Sequence, residues 1–334
     1  MFVSVAYGGK QARVSRPGGL APSRMFCQEV RPMRTLIRLT IAVAMAAVLI
    51  PGLPELAWAT PADQRDSRPP ARPSGRPAGS AIGERGVFAT LCRYSHEASD
   101  DPIVFPNQAG KSHLHTFFGN TTTSAASTYE CLRAGGTTCR TASDASGYWT
   151  PALFRNGAEV SPISMKVYYR TGRHEPSSVQ AFPPAYRVVA GDPAATQAQG
   201  LRTTFWLCRQ LQNPDAAPTG GPSETPKACP SDAPLTLHVR FPECWDGVSL
   251  DSPDHKSHTA YGQMGTCPAS HPTVLPSLTL IVHYPITGEP GAITLASGSQ
   301  YSAHADFFNA WDQAVLARSV NECLNAGVQC GVRR

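Results

Sequence analysis

Leu235-Thr236-Leu237-His238-Val239-Arg240-Phe241 decides how this chain is read. Apolar and polar residues alternate without a break, so an extended backbone puts Leu235, Leu237, Val239 and Phe241 on one face and Thr236, His238 and Arg240 on the other. That two-residue period describes a half-buried strand of an antiparallel sheet. Shorter runs of the same character lie on both sides of it: Gly86–Cys92, Met165–Tyr169, Tyr186–Ala190, Thr203–Leu207 and Leu278–Tyr284, each bounded by Pro, Gly, Asn or Asp. With 31 prolines in the chain, many of its strands must be short or at edges. Only the tail departs from this pattern. From Asp306 to Asn325, the residues Phe307, Trp311, Ala314, Val315 and Leu324 recur mostly at three- and four-residue spacing, with Asp306 to cap and Gly327 to stop. The expectation is a mainly β protein: one antiparallel, sandwich-like domain over 84–334, with long disulfide-stapled loops and a C-terminal helix.

The chain has 334 residues, and its first part reads as leader and linker. Met33–Arg38 is basic, Leu39–Ile50 is apolar, and Ala57-Trp58-Ala59 is a small-x-small cleavage site, the grammar of a secretory signal peptide over 33–59. Pro51-Gly52 breaks the apolar run well short of a bilayer span, so no membrane anchor is expected in the mature protein. Residues 1–32 read as an upstream extension or mis-start, and 60–83 as a Pro/Arg-rich linker. Seven of the 29 basic residues and two of the 24 acids precede Thr60, so the formal charge of +5 shrinks to 22 of each sign in the secreted part. A neutral, secreted chain gives no electrostatic case for nucleic acid. It is read as a monomer.

Ten cysteines in an oxidising compartment read as a disulfide framework. Cys27 leaves with the leader. Local spacing pairs Cys131 with Cys139, Cys208 with Cys229, Cys244 with Cys267 and Cys323 with Cys330. Cys92 is then the odd one, either an inert buried thiol or a thiolate beside the histidines.

Polar chemistry concentrates in Gly110-Lys111-Ser112-His113-Leu114-His115-Thr116-Phe117-Phe118-Gly119-Asn120. On a strand His113, His115 and Phe117 share a face, so two imidazoles point into one space and need partners there. Further polar groups sit in Cys244-Trp245-Asp246-Gly247, in Asp251-Ser252-Pro253-Asp254-His255-Lys256-Ser257-His258 and in His304-Ala305-Asp306. Gly110-Lys111-Ser112 is not a phosphate loop, because Phe105 stands where the leading glycine is required.

Several of these segments also form longer motifs: Asp101-Pro102-Ile103-Val104 with His113-x-His115; Tyr148-Trp149-Thr150-Pro151; Phe241-Pro242-x-Cys244-Trp245-Asp246-Gly247; Asp251-Ser252-Pro253-Asp254-His255-x-Ser257-His258; Cys267-Pro268-x-x-His271-Pro272; and Asp306-Phe307-x-Asn309-x-Trp311. In this order, over roughly residues 90–315, the chain resembles the domain of unknown function 1996 family. Ala310 stands where that pattern has glycine. The resemblance implies a secreted protein of the kind found in fungi and bacteria, in fungi sometimes joined to a small carbohydrate-binding domain. It supplies no mechanism.

From the residues themselves, the leading expectation is binding, and perhaps hydrolysis, of an extracellular or cell-wall polysaccharide. The cleft would lie between the His113/His115 strand and the Asp251–His258 loop. Asp101, Asp246, Asp251 and Asp254 are its acids; His113, His115, His255 and His258 hold hydroxyls or protons; Tyr148, Trp149 and Trp245 are platforms. This reading needs no cofactor. The alternative takes His113, His115, His255, His258 and His304 as ligands of copper or zinc, with Asp254 or Asp306 as a ligand or orienting group. A structural wall protein is the third reading.

Overall fold

The computed structural model of the protein describes residues 86–212 and 217–331. The expected leader, upstream extension and linker lie outside the described residues. Strands β1 (Val87–Ala98), β2 (His115–Gly119), β3 (Gly147–Pro151), β4 (Ser164–Arg170), β5 (Arg187–Gly191), β6 (Thr204–Cys208), β7 (Thr219–Ser223), β8 (Leu235–Arg240), β9 (Ser277–His283), β10 (His304–Phe308) and β11 (Gln329–Cys330) form one sheet. Their order is β5-β10-β3-β2-β1-β4-β9-β8-β6-β7, with β11 beside β1. All pairs are antiparallel except β1 with β11.

The 12-residue β1 serves two half-sheets. Its first part, Val87–Arg93, pairs with β4, and its last part, Tyr94–Ala98, pairs with β2 across a register shift between Tyr94 and His96. The sheet curls there, so that Tyr148, Val188, Ala190 and Phe307 of one half and Val167, Tyr169, Leu237 and Leu280 of the other share a single core. At its centre the Tyr148 hydroxyl lies 2.5 Å from that of Tyr169 and donates to Asp144 Oδ2 at 2.8 Å, and Trp311 Nε1 donates to Tyr169 at 2.8 Å. The expected sandwich-like β domain is what forms.

Two sequence expectations need correction in detail. β8 is not half-buried: Thr236 and His238 are as inaccessible as Leu235, Leu237 and Val239, and only Arg240 is exposed. Neighbouring side chains cover its polar face, with Phe205 stacked on His238 and Arg240 lying over Phe205. The second concerns the tail. Asp306 caps no helix; His304–Phe308 is a buried strand, and the helix is α1 (Gln313–Ser319), capped by Asp312 and continued as a π-turn through Val320–Asn325. Phe307, Trp311 and Val315 imitate a helical spacing, but His304, Asp306 and Phe308 alternate with Ala305 and Phe307 at the strand period and bury both faces.

Cys208–Cys229, Cys244–Cys267 and Cys323–Cys330 form as expected. Cys139 does not pair with Cys131. It bonds Cys92, its cross-strand neighbour, so Cys92 is neither a free thiol nor part of the histidine site; Cys131 is also disulfide-bonded. Sequence proximity favoured the wrong partner because the β1 ladder brings residues 47 apart face to face.

Candidate functional site

Register builds the site. In the ladders joining β2, β3, β10 and β5, Trp149 lies opposite both Phe117 and Asp306, and Asp306 lies opposite Val189. These four side chains therefore make one row on one face. One step along, His115 is opposite Pro151 and His304 is opposite Gly191, which puts His304 level with Pro151 on its other side. The compact proline ring between them lets the two imidazoles meet above it. His113, just ahead of β2, completes the group, with its ring 4.2 Å from that of His115 and 4.9 Å from that of His304.

The nitrogens converge. His113 Nε2 is 3.1 Å and His115 Nε2 is 3.4 Å from His304 Nε2. His115 Nδ1 donates to the Asp100 carbonyl at 3.0 Å, and His304 Nδ1 donates to the Ser302 carbonyl at 2.9 Å. Both supports are themselves held: the Asp100 carboxylate accepts from Gly110 N and Ala125 N, and Ser302 Oγ donates to the Ser299 carbonyl. Neutral rings protonated at Nδ1 present bare lone pairs at Nε2. Even if His113 carries a proton on Nε2 it can serve one contact, so the His115–His304 approach has no proton in it. Burial pushes the pKa of His304 down to about 3 and that of His115 well below the usual imidazole range, an effect that the charges of neighbouring histidines reinforce. Burial lowers His113 as well.

Beneath the histidines, Asp306 is 1% exposed and neither carboxylate oxygen has a hydrogen-bond partner. Its wall is apolar, since Ile103, Leu132, Ala145 and Ala310 close over Phe117, Trp149, Val189 and Phe308. Burial, and then the nearby Asp101, push its pKa well up. Asp101 is also raised by burial, against hydrogen bonds from Val104 N and Ile103 N. The Trp149 indole lies close enough to favour the Asp101 anion but outside good hydrogen-bond geometry. Asp101, His115 and Asp306 offer ligand atoms within 4.8 Å of one another, as do His113, His115 and His304.

Other candidates fall elsewhere. His258 commits both nitrogens, Nδ1 to Ser252 Oγ and Nε2 to the Arg187 carbonyl, each at 2.8 Å, so it has none to offer a metal. His255 Nδ1 is held by Asp251 at 2.9 Å, and His255 does not join the three-histidine group, although its charge is felt at Asp101. Asp254 accepts from Ser252, Lys256 and Ser257, and Asp246 from Val248 N and Ser249 N; both are turn-forming acids. Tyr148 and Trp149 are fully buried and present no ring to a sugar, while Trp245 is half-buried with its indole N–H on the Ser249 carbonyl. Of the carboxyls at the histidine site, Asp101 and Asp306 do come together, but both are buried and inaccessible to a glycosidic bond. The sequence reading named every member of the histidine group but spread it over two further histidines. It missed the Asp100 carbonyl as a support, for which no side-chain pattern gives a signal.

The fold and site thus define a disulfide-bonded, curled antiparallel β domain with a cluster of two buried histidines, one half-buried histidine and two buried acids. Residues 101–311 match the family described as a domain of unknown function (DUF1996), and the chain belongs to that family. Neither a curated protein nor a solved structure matches it.

Proposed function

We propose that this is an extracellular metal-binding protein whose centre is a single zinc or copper ion held by Nε2 of His113, His115 and His304. The observation that carries the proposal is the convergence of three Nε2 atoms, two of them with their Nδ1 protons fixed on backbone carbonyls. Tetrahedral zinc with bonds of about 2.0–2.1 Å sets its nitrogens about 3.3 Å apart, and the separations of His113 and His115 Nε2 from His304 Nε2 are 3.1 and 3.4 Å. Imidazole suits either metal. Asp306, one step below on β10, is placed to ligate or to orient a group bound to the ion. Disulfides and the lack of a helix able to span a membrane among the described residues fit an extracellular setting.

The test is elemental analysis of the tag-free chain after exposure to zinc or copper, with melting curves in and out of chelator. About one equivalent and a metal-dependent rise in Tm are expected, both lost in His113→Ala/His115→Ala. Equal uptake by that variant, or no uptake by a folded wild type, overturns the proposal.

A glycan partner is the second reading. It is supported by the Asp251–His258 loop lying beside the histidines, since Lys256 Nζ donates to the Gly191 carbonyl, across the ladder from His304. A cleft of about 340 Å³, lined by Gly191, Asp192, Lys256, Thr259 and Tyr261, opens there. On this reading, binding persists in chelator and is lost in Lys256→Ala.

A further inference from the structure

A second and larger cleft, of about 540 Å³, adjoins the first through Tyr261. Three arginines line it: Arg173, Arg202 and Arg240. Among the described residues neither Arg173 nor Arg202 has a carboxylate partner within the cleft. Arg202 donates Nη2 to the Gly262 carbonyl, which aims its fork, and Arg173 is exposed and makes no ion pair. A single acid shares the space. Glu243 takes His174 Nε2 at 3.3 Å and Gly262 N at 3.2 Å on Oε1, which leaves Oε2 as an acceptor.

The rim is built, not draped. A Cβ on Gly262 would stand 2.9 Å from Glu243 Oε1, and one on Gly265 would stand 2.4 Å from the Arg173 carbonyl, so only glycine lets this loop close on the cleft. The loop is pinned by reciprocal hydrogen bonds between Gln263 and Thr266 and by the Cys244–Cys267 disulfide. At its tip Met264 holds φ of 52° and is 90% exposed. Met264 and Gly265 are the two central residues of a two-residue type I′ hairpin, which requires positive φ at both and leaves the Met264 side chain in solvent at the edge of the cleft.

We propose that this cleft binds an acidic saccharide, a sugar unit whose carboxylate meets the Arg173 and Arg202 forks while its hydroxyls meet Glu243 and Gln263 and its ring lies under Met264. Guanidinium forks match a planar carboxylate in two parallel hydrogen bonds. Glu243 decides between anions, because its carboxylate repels a bare inorganic oxyanion but accepts from a hydroxyl. Nucleic acid is disfavoured because it asks for exposed aromatic faces along a basic track, whereas of the two aromatic residues here Phe241 is buried and Tyr261 is held by its hydroxyl on the Arg240 carbonyl. The inference concerns a different cleft from the one in the glycan reading above, stands or falls apart from it, and is independent of the metal.

The experiment is calorimetric titration of the full chain with a short oligogalacturonide, its carboxyl-reduced counterpart and inorganic sulfate, with and without chelator. The oligogalacturonide is expected to bind in both conditions and the reduced sugar not to. Arg173→Ala and Arg202→Lys should each weaken binding about tenfold, the loss of one charge-assisted contact, with unchanged melting curves. Lys256→Ala should leave it unaffected. Equal binding of the reduced sugar, displacement by sulfate at matched concentration, indifference to the arginine variants, or no binding at all overturns the proposal. Loss in Lys256→Ala alone also overturns it, while leaving a glycan in the first cleft.

Discussion

Asp306 bears a cost that no neighbour repays in the metal-free protein: a buried carboxyl between Phe117, Trp149 and Val189 with no donor on either oxygen. Asp306→Leu should therefore stabilise the metal-free chain by about 1–3 kcal/mol while weakening metal affinity at least tenfold. Urea melts and metal titration of one preparation read both, and a less stable metal-free variant would mean that the carboxyl already has a partner. Asp144 is the opposite case. It is equally buried but accepts from Tyr148 Oη and Ser146 N, so Asp144→Ala should cost about 2–3 kcal/mol in the same melts. Composition and spacing put both histidines of His113-x-His115 and the His304-x-Asp306 pair on the page. What they could not supply is convergence, because that depends on the β2-β3-β10 register and on residues nearly two hundred positions apart.

At the scale of elements, the close approach of β5 to β10 rests on Gly191. Its φ is +86°, and a Cβ there would lie 2.5 Å from the Ala303 carbonyl and 2.9 Å from the His304 Cα. Gly191→Ala must push His304 away from its two partners. The expected result is a protein destabilised by about 1–3 kcal/mol that has lost metal binding, whereas Gly200→Ala, with φ of +84° but open space around it, should keep the metal. Helix α1 offers a plainer check: Asp312 accepts from Val315 N, so Asp312→Ala should cost about 1 kcal/mol and Asp306 should contribute nothing as a cap. The strands were legible because alternation survives in a single sequence. The start of α1 was not, because aromatic residues of a buried strand and its following turn happen to fall four apart.

For the whole molecule, two buried groups tilt stability against pH in opposite directions. Burial raises the Asp144 pKa from 3.8 to about 7, so its contribution is complete at low pH and is lost as pH rises through about 7. Burial, with the Arg209 charge, lowers His283 from 6.5 to about 4, so its contribution is complete above 6.5 and is lost as pH falls toward about 4. The windows overlap and the slopes oppose. Asp144→Asn should steepen the loss of Tm on acidification between about pH 6.5 and 4, and His283→Gln should lessen it, with the remainder left to the other buried histidines. Melting curves of the two variants across that range decide it; parallel curves would mean that neither group titrates in the folded state.

The first strand of the domain has a neighbour that is made long after it. Val87 and Phe88 on β1 lie against Gln329 and Cys330, which the ribosome adds some 240 residues later. A chain emerging from N- to C-terminus can assemble its hairpins as they appear, but it cannot seal this edge until Gln329 and Cys330 have been made. Products cut short before Gln329 would leave the first strand with an unpaired edge and Cys323 without its bonding partner, a pattern that proteases and thiol oxidoreductases can read. The join between β1 and β11 thus makes closure of the first strand wait on residues made long after it.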